Sequence, residues 1–313
     1  MKRVVLTMLV ISLLIAACGG GSGPATDQGN GDAVRTLPAA TQASIRPTNT
    51  PVAAPPTPTP LPTNTAAPTR EADEATSEEA LETPTPLPEV TDVMNEIPAG
   101  PFVMGTDAGV PDEGPKHEVD VPAFQIDRFE VTNKDFETFV TVTGYTSDAE
   151  KNGAKRSWKD EYGEGEDSHP VVRVTFNDAA AYCEWLGKRL PTEAEWEKAA
   201  RGPENTKYPW GDEWDATQAN GKDSGLRGTA TVGSYPANGY GLHDIAGNVW
   251  EWTADWYEAY PENIVQDDFY GEQFRVVRGG GWFEEDTMLV SYNRNAADPN
   301  KTANDDLGFR CAK

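Results

Sequence analysis

Nine Trp, ten Tyr and ten Phe are spread along this chain, and every one of them lies at or after Phe102. A segment without aromatic side chains has little apolar surface to set against the conformational entropy that folding removes. A packed domain is expected in the C-terminal two thirds of the 313 residues, a size that suits one domain.

Two kinds of segment precede that domain. Met1-Lys2-Arg3 is a short basic start, and the apolar run VVLTMLVISLLI follows it, with small residues before Cys18. About twelve apolar residues are too few to span a bilayer comfortably and have the pattern of an export signal. Ile15-Ala16-Ala17-Cys18 resembles the bacterial lipobox, in which the chain is cut before a Cys that then carries lipid. On that pattern residues 1–18 are a lipoprotein signal peptide, Cys18 is the lipidation site, and the chain belongs at the cell membrane, lipid-anchored on the extracytoplasmic side. Residues 19–91 contain PTPTPLPTNT and its echo TPTPLPEV. Proline fixes φ and removes a donor, so this stretch is expected to be an extended, disordered, Pro/Thr-rich stalk. Use of Cys18 for lipid leaves Cys183 and Cys311 as a disulfide pair in an oxidising compartment.

The formal net charge of −25, from 51 acidic and 26 basic residues, repels phosphate. Nucleic acid and anionic membrane surfaces are therefore poor partners, and the expected membrane contact is the lipid anchor.

From Met94 onward, β-type runs (FQIDRFEVT, VVRVTF, FRVVRGG) alternate with turns such as YPANGYG. Two segments read as helices. NDAAAYCEWLGKR starts with Asn177 as its expected N-cap, and LPTEAEWEKAAR carries a capping box of Thr192 and Glu195. The pattern predicts an irregular α+β domain over residues 94–313, with little regular secondary structure and long ordered loops. Such a domain needs staples, which a disulfide or a bound cation provides.

In chain order, IPAGPFVMGT, FQIDRFEVTNKDF, HPVVRVTFNDAAAYCEWLGKRLPTEAEWEKAARG, YPWGDEW, NGYGLHDIAGNVWEW, RVVRGGGW and LGFRC resemble the formylglycine-generating enzyme, or sulfatase-modifying-factor, family. The resemblance implies a mixed α/β fold related to C-type lectin-like folds. Active members oxidise a sulfatase Cys to formylglycine with molecular oxygen, using two copper-binding cysteines five residues apart. Other branches are iron-dependent sulfoxide synthases and non-enzymatic display proteins. The resemblance places the two thiol positions at Glu284 and Leu289. A carboxylate and an aliphatic group cannot replace a soft bis-thiolate site, so no copper is expected and the catalytic set is empty.

Calcium is the expected cofactor. Matching GLHDIAGNVWEW to the family gives Asp244 and Glu251 as side-chain ligands, with the carbonyls of Gly247 and Val249. These are hard oxygen donors of the kind Ca2+ takes. A second family site falls on ANGKDSGLRGTATV, giving Asn220 and Gly221, with Ser224 in place of an Asp ligand, Asp223 beside it, and Leu226. The same resemblance pairs Cys183 with Cys311. Around RGGGWFEEDTMLVSYNR it implies a groove bounded by Arg278, Trp282, Glu284, Glu285, Tyr292 and Arg294.

Glu284, Glu285 and Asp286 are read as a solvated acidic loop, because an acid–base pair needs carboxyls on opposite sides of a substrate. His117, His169 and His243 are expected to be structural, and most Trp residues to be core. The expected function is a calcium-stabilised binding or scaffold module for an envelope or extracellular protein, peptide or glycan. The alternative is a formylglycine-generating or related metal-dependent modifying enzyme with a divergent site in the same groove.

Overall fold

The structure, a computed structural model, describes residues 93–301 and 304–313. The signal peptide with Cys18 and the stalk over 19–91 lie outside the described residues. Eight short strands are present: β1 Met94–Ile97, β2 Gly100–Met104, β3 His117–Val121, β4 Phe124–Asp127, β5 Trp250–Trp256, β6 Arg275–Arg278, β7 Arg294–Ala297 and β8 Leu307–Gly308. Four α-helices accompany them: α1 Asn133–Thr143, α2 Asp148–Lys151, α3 Phe176–Trp185 and α4 Glu193–Arg201. The architecture is α+β with long connections, as the sequence pattern predicts.

Local chemistry sets each helix. Thr192 caps α4, accepting the Glu195 N–H, while the Glu195 carboxylate returns to the Thr192 N–H at 2.8 Å. The cap of α3 is Thr175, with Asp178 closing its box. Asn177 instead lies inside the helix, which begins earlier than the sequence reading placed it. The sequence reading also omits α1, whose cap is Thr132 and whose end is Gly144, in the left-handed region at φ 69. VVRVTF forms no strand. It is a buried connection leading into the α3 cap, and Arg173 within it has φ 57.

Strands pair as two antiparallel ribbons, β1 with β4 and β2 with β3, and as one sheet in the order β7-β6-β5-β8, whose β5–β8 contact is parallel. The central register places Glu251 opposite Arg278 and Arg278 opposite Arg294. One core gathers Phe136, Phe139, Trp158, Tyr182, Trp250, Trp252 and Phe309 between α1, α3 and the sheet. The Cys183–Cys311 disulfide lies within this core and closes a separation of 128 residues. A second core packs α4, through Trp196 and Ala199, on the ribbons and on Leu242 and Ile245. Aromatic rings thus supply the apolar area that the short strands lack.

Candidate functional site

The segment from β6 to β7 carries the positions singled out in the sequence. Gly279 and Gly280 have φ 97 and 81, values open to glycine without strain. They turn the chain back over Leu289. Leu289 is completely buried against Ala219 and Ala246. A Cβ added at Gly221 or Gly280 would come within 2.5 Å of its methyl groups. The second thiol position is therefore a filled aliphatic plug.

Glu284 is 7% exposed, which corrects the reading of this loop as uniformly solvated. Burial raises its acid, and neighbouring Glu285 adds to the effect. Glu285 is the exposed member and pairs with Lys222 at 2.5 Å. Across the Gly281 turn stands Asp306, buried, with its Oδ2 lacking a partner. Burial, then Asp305 and Glu284, push the Asp306 carboxyl up to about 7. Sequence reading missed Asp306, the second residue of an unremarkable DD pair far along the chain.

The six groove residues do not share one surface. Arg278 is fully buried, donating to Glu197 at 2.5 Å and to Glu193 at 3.2 Å. Arg294 donates to both oxygens of Glu193, at 2.8 and 3.0 Å. Both guanidiniums serve the interior, because a buried cation is tolerated only when paired. Trp282 packs edge-on against Phe283 and donates its indole N–H to the Asp305 carbonyl at 3.4 Å. Tyr292 and the Arg294 side line a cavity of about 530 Å3, together with Glu113, Lys207, Met288 and Val290. Arg278, Trp282, Glu284 and Glu285 are not part of that lining.

The two proposed calcium loops meet. Asn248 N–H donates to the Asn220 carbonyl at 2.8 Å, and Asn220 bridges to Gly247. In the first set, Asp244 accepts the backbone N–H of Gly233 at 2.5 Å and of Tyr235 at 3.4 Å. Burial raises its acid. Glu251 is fully buried, with Arg310 bound to both its oxygens and Trp196 donating to one at 2.8 Å. Glu130, unanticipated from sequence, joins them. Asn248 donates to its Oε2 at 2.7 Å, while its Oε1 is buried without a partner. Burial, and then Asp244, drive the Glu130 acid well up.

Three buried carboxyls therefore share one guanidinium, Arg310. A hard cation would relieve that surplus and the orphaned Glu130 oxygen, but both Glu251 oxygens are already held by Arg310 and both Asp244 oxygens by backbone N–H groups. Among the described residues no group of three His, Cys, Asp or Glu side chains forms a metal cluster by itself, so carbonyls such as those of Gly247 and Val249 would have to complete the shell. In the second set, Asn220 Oδ1 accepts the Ser224 hydroxyl at 2.8 Å, and Leu226 is 47% exposed. That set is closed on itself.

The three histidines each make a local bond, His117 to the Pro115 carbonyl, His169 to Thr229 and His243 to the Tyr235 carbonyl. Trp158, Trp196, Trp250 and Trp252 are core, while Trp185, Trp210, Trp214, Trp256 and Trp282 are only half-buried.

With this geometry in place, comparison with known proteins is decisive. Residues 80–313 match the family described as Sulfatase-modifying factor enzyme 1-like domain. The chain belongs to this family. Among relatives of the sulfatase-modifying-factor domain, formylglycine-generating enzyme of Mus musculus is 37% identical over 289 residues, covering 72% of this chain and 76% of the relative. Inactive C-alpha-formylglycine-generating enzyme 2 of Mus musculus is 38% identical over 273 residues, covering 70% and 85% respectively. The solved structure of PvdO from Pseudomonas aeruginosa aligns with a TM-score of 0.59 at 33% identity, over 70% of this chain and 93% of that one. The sulfatase-modifying-factor family thus holds relatives named both as generating enzymes and as inactive.

Proposed function

We propose that this sulfatase-modifying-factor domain is a calcium-stabilised binding or scaffold module, carried on a membrane-tethered extracytoplasmic lipoprotein, and not a copper oxidase. The observation that carries the reading is the plug: the two thiol positions hold Leu289, fully buried among aliphatic groups, and the buried Glu284. A soft metal finds no donor there. Its partners would be an envelope or extracellular protein, a peptide or a glycan. The Ile15-Ala16-Ala17-Cys18 tetrad supports the anchor, and the carboxyl surplus around Glu130 supports the ion.

A second reading keeps a specific observation of its own. Asp306 and Glu284 are buried carboxyls with raised acids at the old reaction position, and perturbed acids cluster where chemistry is done. That reading is a modifying enzyme with a divergent site.

Metal analysis of protein purified without chelators decides between them. Bound calcium and no stoichiometric copper or iron are expected, together with a lower melting temperature after chelation, because the ion binds the native state alone. One equivalent of redox metal with oxygen-dependent turnover of a thiol peptide would establish the enzyme instead. An unchanged melt would remove the ion from the reading. Cys18→Ala is expected to release the protein from membranes, and retention would defeat the lipid anchor.

A further inference from the structure

The cavity of about 530 Å3 beside the β7 approach is lined by the apolar Val110, Met288 and Val290 and by the polar Glu113, Lys207 and Tyr292. That volume fits a small molecule or the end of a peptide. Its polar groups are unequally satisfied. Arg294 reaches the cavity with its guanidinium already held by Glu193. Glu113 is 4% exposed and accepts the Val110 N–H on Oε2 at 2.9 Å. The Lys207 ammonium sits 4.8 Å from the centre of the Tyr208 ring and forms no ion pair among the described residues.

We propose that this cavity binds a small carboxylate-bearing ligand, its anionic end between the Lys207 ammonium and the Glu113 carboxyl and its apolar body against Val110, Met288 and Val290. The inference rests on the reading of the domain as a binding module and adds the class of ligand.

Charge decides for an anion over a cation. Lys207 is in no salt bridge among the described residues; its ammonium is held charged by a hydrogen bond to Tyr208, with Tyr292 and Asp286 adding to the effect against partial burial. Glu113, by contrast, is placed to stay protonated. Burial lifts its acid to about 7, with Asp112 and Glu197 pushing the same way against the Val110 N–H and Arg278. A protonated carboxyl donates a hydrogen bond to a bound carboxylate, whereas the ionised form repels it. Affinity should therefore follow the protonated fraction of Glu113.

The test titrates the full chain with N-acetyl-leucine, one carboxylate on a branched apolar body, at pH 6 and pH 8 by ligand-observed NMR. The probe is ionised at both values, so any change belongs to the protein. For an acid at about 7, the protonated fraction falls roughly tenfold across that interval, and binding should weaken by about the same factor. Glu113→Gln keeps a donor and is expected to bind equally at both pH values. Lys207→Met, with Lys207→Gln as its second form, is expected to weaken binding at both. N-acetyl-leucinamide should not compete.

Tighter binding at pH 8, preference for hexylamine, absence of binding by the wild type at both pH values, or indifference to both substitutions overturns the proposal. Circular dichroism of each variant separates loss of the site from loss of the fold. A negative result here leaves the metal experiment untouched, so the ligand class and the broader reading fail independently.

Discussion

Leu289 and Asp306 are both buried near the same turn, yet they bear opposite relations to their surroundings. The leucine is in apolar contact on every side, and the carboxyl has one oxygen with no partner. Asp306 stands at about 7 in the folded chain against 3.8 for an unperturbed Asp. Because the folded value is the higher one, its contribution is fully present below about pH 4 and is lost as pH rises through 7. Asp306→Asn removes the charge without changing shape. It should raise stability at pH 8 by up to roughly 4 kcal/mol and by much less at pH 4, as read from melting curves at the two pH values. A variant no more stable than wild type at pH 8 refutes the burial account. At this scale the sequence was partly legible. It identified Glu284 and Leu289 as the informative pair, but it took Glu284 for a solvated residue because its neighbours are acidic. Burial there is decided by how the segment 284–289 packs on Gly221 and Lys222, which no local pattern encodes. The buried pairing of Arg278 and Arg294 was hidden for a similar reason: their partner Glu193 lies 85 and 101 residues away.

Helix α4 is the element on which those distant charges converge. Glu193 and Glu197, four residues apart, present carboxylates on one face, and there they hold Arg278, Arg294 and Arg201. Glu197 also accepts the Gly105 N–H at 2.7 Å, which ties the helix to the end of β2. Glu197→Ala leaves two buried guanidiniums short of a partner. The expected cost is about 3–5 kcal/mol by urea unfolding, and a loss under about 1 kcal/mol would show that the arginines find other partners. The start of this helix was legible in full, because Thr192 and Glu195 form a local device that needs no tertiary context. The α1 helix was not. Its last turns, Val140-Thr141-Val142-Thr143, are β-branched and favour strands in isolation. Packing of Phe136 and Phe139 into the aromatic core overrides that preference. The run VVRVTF shows the converse: strand-forming residues, buried, whose backbone N–H groups bond singly to connections, Val171 to the Val131 carbonyl and Arg173 to that of Asn304.

The whole domain depends on rings and one covalent link more than on its sheets, the longest strand of which has seven residues. Cross-linking Cys183 to Cys311 closes 128 residues and is worth up to about 5 kcal/mol in the chain-entropy model. Cys183→Ala with Cys311→Ala should lower the urea midpoint correspondingly, and an unchanged midpoint would show that the core holds without it. The aromatics begin only at Phe102, after β1 and its buried Ile97, whereas the α+β class was legible, since it follows from composition and turn spacing. The order of strands was not, because it depends on contacts such as β5 with β8 that bridge more than fifty residues. One of these long-range contacts fixes where the domain can be held. β4 pairs with β1 on one side, Glu96 opposite Gln125, and Gln125 exchanges both backbone hydrogen bonds with Lys313 on the other. β1 and the C-terminal segment both run antiparallel to β4, so Glu96 and Lys313 flank Gln125 roughly 10 Å apart, or two strand spacings, while Met94 and Lys313 face opposite ends of the ribbon. A pull on the chain at Met94 loads the β1–β4 ladder, whose far side is held by the C-terminal segment through Gln125 and Lys313.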